Sequence, residues 1–245
     1  MHRIRSRFYK KGDMVFISHL DLIRLFERAF RRANIAISYT QGYNPHPIMS
    51  FATALAIGVA SEGEYIDIEI TEPMDLEDFA NKLNKVLPEG LRIIKSQYIP
   101  KNADSLMSII KYSIYSVKVI FSNQTTEEVL KEELKGFLNL EEIIDIKEKK
   151  RKNNYKKSNK SQVQRINIRD YIHDIEVIEV KENIAIIKMI LATGSTGNLK
   201  PETVINKLDE MTKLDINKDK VRIHRHDLLT KINPAHLTPL DDIEI

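Results

Sequence analysis

Cysteine is absent from the chain. That excludes a disulfide, a thiol nucleophile, a cysteine-ligated zinc site and a cysteine-bound iron–sulfur cluster within it. Glycine and proline are sparse, 8 of each among 245 residues, which argues against a fibrous or disordered chain. No run of about 18 apolar residues occurs, so no membrane span is expected. The opening residues, MHRIRSRFYKKGD, have no apolar signal-peptide core, and a cytoplasmic protein is the expectation.

A strong net charge is also lacking, at only +3, yet the charge is unevenly spread. Residues 1–50 carry Lys or Arg at 3, 5, 7, 10, 11, 24, 28, 31 and 32, against acids at 13, 21 and 27 only. Residues 147–169 hold ten basic side chains (147, 149, 150, 151, 152, 156, 157, 160, 165 and 169) against Glu148. The stretch from Glu62 to Asp78 is acidic. Two basic zones on a near-neutral chain point to local contact with a polyanion.

The stretch Phe16–Phe51, FISHLDLIRLFERAFRRANIAISYTQGYNPHPIMSF, carries most of the chemistry. Stepped at about 100° per residue, Leu22, Ile23, Leu25, Phe26, Ala29, Phe30 and Ala33 share one arc of a helix. Asp21, Arg24, Glu27, Arg28, Arg31 and Arg32 share the other, with Arg24, Arg28 and Arg31 within about 60° of one another. Ser18 suits the N-cap and Asn34 the C′ position. Pro45 and Pro47 then hold His46 in an extended loop.

Taken in order, His2–Tyr9 reads as a strand and Lys11-Gly12-Asp13 as a turn. Ile35–Tyr39 and Glu64–Thr71 read as further strands, the latter with Ile66, Ile68 and Ile70 on one face. Asp75 caps a helix that Pro88 and Gly90 end, and Leu91–Ile99 is a strand. The second half follows a similar order. Lys111–Phe121 is a strand, and Thr125–Glu128 opens a helix as a capping box. Glu141–Lys147 is a strand, and Lys181-Glu182-Asn183 turns a hairpin. Pro201 sits in the first turn of a helix, and Val221–Leu228 is the last strand. The expectation is an α+β chain of two tandem ferredoxin-like (split βαβ) units, antiparallel sheets with helices on one face. The first would span 1–101 and the second 109–232, with a basic insertion near 148–162 and an irregular tail at 233–245.

RFYKKGDMVFISHLDLIRLFERAFRRANI, SYTQGYNPHPIMSFATALAIGVASEGEYIDIEI, INIRDYI and GNLKPETVINKL together resemble the radical SAM-linked family, small bacterial proteins of unknown function. The resemblance runs from about Arg3 to Arg225 and is most specific between Phe16 and Glu64. Members occur fused to or encoded beside radical S-adenosylmethionine enzymes, so the resemblance implies such an enzyme as partner. The chain itself cannot hold that enzyme's cluster, which needs three cysteines.

Three chemistries compete. His19, Asp21 and His46 read as an acid–base pair or metal site, or as cap, helix-dipole partner and loop anchor respectively. Arg3, Arg5, Arg7, Arg24, Arg28 and Arg31 read as a phosphate-binding surface, or as a solvated face in which Glu27 pairs with Arg31. Tyr39, Gln41, Tyr43 and Asn44 read as a base-stacking and base-reading loop, or Tyr43 and Phe51 as core residues that hold the loop down; Tyr43, Asn44 and His46 are the nucleic-acid contacts expected from this loop. No HExxH-like spacing occurs, and neither a metal nor a cofactor is expected. Gly194–Gly197 lacks the lysine of a phosphate loop and reads as a turn. The leading expectation is a non-catalytic partner of a radical SAM enzyme that binds RNA or presents a substrate through a basic groove. The alternatives are an endoribonuclease-like enzyme using His19 or His46, and an adaptor that binds protein alone.

Overall fold

The computed structural model describes residues 1–149, 162–195 and 197–243. The chain is mixed α+β with mainly antiparallel pairing. It forms two compact units: residues 1–116, 192–198 and 222–245 in one, 117–191 and 199–221 in the other. No helix among the described residues is long and apolar enough to cross a membrane.

The first unit contains β1 (His2–Lys10), a 3-10 turn at Gly12–Phe16, α1 (His19–Arg32), β2 (Met49–Phe51), β3 (Ala60–Ile70), α2 (Leu76–Val86), β4 (Leu91–Ile99) and the single-turn α3 (Leu106–Ile109). β5 (Tyr112–Ile120) follows and passes into the second unit after Ser116. β1 lies between β4 and β3 and is antiparallel to both, with Ile4 opposite Ile68 and Tyr98. β2 pairs antiparallel with β3.

The even positions of β3 face α1 and α2. There Ile66, Ile68 and Ile70 pack with Ile4, Phe8, Phe26, Phe30, Phe79 and Leu83. The rings of Phe8 and Phe51 lie 5.2 and 5.4 Å from Phe26. Alternation sends Tyr65 and Asp67 to the other face. That face is covered as well: Tyr65 packs with Ala52, Leu106, Ile110, Leu228 and Leu240. Only α1 and α2 therefore share a face, and α3 lies on the opposite one.

The second unit holds the end of β5, α4 (Glu127–Leu138), β6 (Ile144–Lys149), β7 (Gln162–Asn167), β8 (Ile172–Lys181), β9 (Ile184–Ala192, whose last residue counts with the first unit) and α5 (Pro201–Met211). β9 lies between β5 and β8, while β6 and β7 pair as a separate ribbon. Thr126 caps α4 by accepting from Val129 N, and Glu182 turns the β8–β9 hairpin at φ +55°.

The last strand, β10 (Arg222–Leu229), groups with the first unit and pairs in parallel with β3 through His224–Ala60 and Arg225–Ser61. The chain first passes from one unit to the other at Ser116/Val117. Ile35–Tyr39 forms only isolated bridges, Ile37 to Ile70 and Tyr39 to Pro47. The basic insertion falls largely at 150–161, outside the described residues.

Asn34 ends α1 in the left-handed region at φ +54°. Ile35 N reaches back to Phe30 O at 3.1 Å and so closes the helix. Asn34→Gly relieves that backbone at an exposed position and is expected to gain up to about 1 kcal/mol. A rise in the urea midpoint checks this.

Candidate functional site

α1 is held at both ends by local chemistry. Ser18 Oγ accepts from Asp21 N at 3.1 Å and donates to Asp21 Oδ2 at 2.6 Å. This cap leaves one helix face buried through Leu22, Phe26, Ala29 and Phe30 and shows the arginines outward. Arg24 lies 3.6 Å from Asp21, a loose, exposed pair of little energy. Arg32 donates to Val86 O at 2.7 Å, which fixes it against the end of α2. Among the described residues Arg28 and Arg31 have no ion-pair partner, and no Glu27–Arg31 bridge forms. Arg28, Arg31 and Arg32 line an open depression of about 550 Å³ whose apolar side is Leu25, Val86 and Pro88.

The proline loop stands out from the end of β3. Thr40 N donates to His46 O at 2.8 Å, and His46 N donates to Thr40 Oγ1 at 2.9 Å, so residues 41–45 form a closed tip. Tyr43 and Asn44 at that tip, and His46 at its base, are exposed. His19 stacks edge-on against Phe51 at 5.5 Å. Pro47, beside His46, bridges Tyr39. The two histidines meet different neighbours, His19 the Phe51 ring and His46 the backbone and hydroxyl of Thr40. Among the described residues neither is bonded to Asp21 or to the other.

Arg3, Arg5 and Arg7 lie toward the covered face of β1, Arg5 buried and the other two partly exposed. Arg5 is 2% exposed, with Nε at 2.8 Å and Nη2 at 2.9 Å from the two Asp67 oxygens and further bonds to Asp104 O and Pro239 O. Arg3 bonds Asp67, Lys101 O and Ala103 O. Arg7 pairs with Asp227 at 2.8 Å. Asp227 also accepts from Tyr65 Oη at 2.7 Å, and burial pushes both of these groups up in pKa. These three arginines pair with Asp67 and Asp227, while Arg24, Arg28 and Arg31 are exposed.

A second buried network lies across β3 and β10. Arg225 grips Glu64 with Nε at 2.8 Å and Nη2 at 2.5 Å and donates to Thr53. Burial works against the Arg225 charge, but Glu64 holds its pKa above the ordinary value. Lys10 nearby is pushed down by burial, partly opposed by Glu64. On the other face of β10, His224 Nε2 and His226 Nδ1 lie 3.8 and 4.0 Å from the two oxygens of Glu62. The two imidazole rings are 4.8 Å apart. His226 Nε2 is 3.0 Å from Ser116 Oγ. Partial burial lowers the His224 pKa, with His226 adding to the effect.

Residues 3–201, well over half of the chain, match the family described as "Uncharacterized protein conserved in bacteria (DUF2344)". The chain belongs to that family. No curated protein matches it. Among solved structures, this DUF2344 member is similar to a chain in the crystal structure of a Cbf5-Nop10-Gar1 complex, with a TM-score of 0.50 and 9% identity, over 92% of its own length and 48% of the other's. It is also similar to a chain in the structure of an H/ACA RNP bound to a substrate RNA containing 2'-deoxyuridine (TM-score 0.47, 8% identity, 91% and 46% covered). A third is in the archaeal box H/ACA sRNP Nop10-Cbf5 complex (0.46, 9%, 91% and 46%). The chain spans about half the length of these structures, and at such identities the likeness is one of fold.

Sequence reasoning on this DUF2344 member misses the Glu62, His224 and His226 group. The available signal is the His-Arg-His triplet at 224–226, since positions i and i+2 of a strand share a face. Nothing local links that triplet to Glu62. Only the β3–β10 pairing brings them together.

Proposed function

We propose that this protein is a non-catalytic RNA-binding protein whose contact surface is the arginine face of α1, and that it works beside a radical SAM enzyme. The observation that carries the reading is a pair of guanidinium groups, Arg28 and Arg31, that have no ion-pair partner among the described residues and line a depression with Leu25, Val86 and Pro88. Guanidinium forks suit phosphate oxygens, and the apolar side suits a sugar or a base face. Arg24 extends the same face by one turn. The Tyr43-Asn44 tip, fully exposed, is assigned to stacking on an unpaired base. Among the described residues His46, at the loop base, is bonded only through its backbone, which suits contact better than proton transfer.

We read both halves as split βαβ units, and the order β4-β1-β3 with β2 beside β3 supports the first of them. The likeness to the Cbf5-Nop10-Gar1 structure supports the fold only, and the RNA assignment stands on the arginines. The radical SAM partnership rests on the resemblance of the Phe16–Glu64 segment and is tested by co-purification after nuclease treatment.

The direct test is the salt dependence of binding to a labelled single-stranded RNA. Affinity should fall steeply between 50 and 200 mM salt, as expected of phosphate contacts. Arg28→Ala with Arg31→Ala should flatten the log–log slope by roughly 1.4, about 0.7 per lost phosphate contact. Binding that ignores salt, or a slope unchanged in the double variant, overturns the assignment.

A further inference from the structure

We propose that Glu62, His224 and His226 form a binding site for a divalent first-row transition-metal ion of the Zn²⁺ class. The site is separate from the arginine face and does not depend on the RNA reading. His224 and His226 are i and i+2 on β10, so their rings project from one face of that strand. Glu62 follows Ser61, which is the register partner of Arg225, and so lies beside the His-Arg-His triplet.

One donor atom from each residue falls within 4.8 Å of the others. The two histidine nitrogens lie 3.8 and 4.0 Å from the Glu62 oxygens. Bonds of about 2.0–2.1 Å in a tetrahedral site set donor atoms about 3.3 Å apart. The group is therefore open by about half an ångström to an ångström and a half. Glu62 and His226 are exposed side chains, and χ rotation alone closes that gap.

The surroundings supply what a ligated imidazole requires. His226 faces Glu62 through Nδ1 and meets Ser116 Oγ at 3.0 Å through Nε2. Donation from Nε2–H to the hydroxyl leaves the Nδ1 lone pair directed at the ion, the arrangement that orients most ligated histidines. Lys11 is the nearby charge that opposes a cation there, and its ammonium lies over the Tyr9 ring at 4.2 Å. Two imidazoles and a carboxylate suit zinc, cobalt, nickel or ferrous iron, and do not suit Cu(I), which prefers sulfur. Three protein ligands leave a further coordination position for water or an anionic ligand.

The experiment uses the full chain without a histidine tag, titrated with Co²⁺ as the optical probe and with Zn²⁺ in a calorimeter. The expected result is saturable one-to-one binding, with visible d–d bands that Zn²⁺ abolishes. His224→Ala and His226→Ala should each weaken binding at least about tenfold, and Ser116→Ala by about 10–100-fold through loss of the orienting bond. Glu62→Gln, on an exposed side chain, keeps the fold and should also lose affinity, so the test survives if a histidine variant misfolds. No saturable binding, or one-to-one binding unchanged in Glu62→Gln and in the histidine variants, overturns the proposal.

Discussion

Glu64→Leu is expected to cost about 3–5 kcal/mol, most of the stability a domain of this size has to lose. Glu64 is the anion between two buried cations. Arg225 is 2% exposed and spends Nε and Nη2 on the two Glu64 oxygens. Lys10 is 2% exposed and reaches only Val15 O and Ile17 O, at 3.5 and 3.2 Å. Leucine fills the space but leaves both charges without an opposite. Lysine can answer by losing its proton, which burial already favours. Arginine cannot. The pair as such adds little net stability, because desolvation offsets its attraction. Glu64→Leu with Arg225→Met should therefore recover most of the loss. Urea unfolding of the single and double variants measures both. A single-variant loss under about 1 kcal/mol, or a double variant no better than the single, contradicts this account.

How much of this was visible in the sequence depends on distance along the chain. The ends of α1 were readable because Ser18 and Asn34 act on backbone groups within five residues. The Asp75 cap of α2 and the Glu182 hairpin turn are local in the same way. The apolar face of β3 was readable from its period of two. Its other face was misleading. Asp67, with Arg3, Arg5 and Arg7 opposite, looks like solvent chemistry until residues 100–110 and 230–243 cover it. Those segments lie about a hundred and more than two hundred positions from β1, and no window on the sequence joins them.

The candidate site divides along the same line. The arginine face of α1 follows from helical spacing alone, and the structure leaves Arg24, Arg28 and Arg31 outside as that spacing implies. The grouping of His19, Asp21 and His46 supposes that the start of α1 meets the proline loop, and among the described residues no hydrogen bond or ion pair joins the three. The Glu62–His224–His226 group needs a parallel pairing between strands far apart in the chain, which composition and periodicity do not encode.

Asp67→Ala is expected to separate the arginines that hold the fold from those proposed to contact RNA. Asp67 is 3% exposed and receives Arg5 in a two-bond fork, with Arg3 as a third donor at 3.1 Å. Removing the carboxylate leaves Arg5 buried with only the carbonyls of Asp104 and Pro239, and the cost should be about 3–5 kcal/mol. Arg5→Met should cost less than that, because it also removes the charge that needs burying, although it strands Asp67 with Arg3 alone. Neither change touches a phosphate contact if RNA docks on α1. The salt slope of RNA binding, measured on the folded fraction at low temperature, should then be that of the unaltered protein in both variants. Arg28→Ala with Arg31→Ala should show the converse, a flattened slope with the urea midpoint nearly unmoved, since both side chains are exposed. A flattened slope in Arg5→Met, with the protein folded, would return β1 to the nucleic-acid surface and remove α1 as the sole docking face.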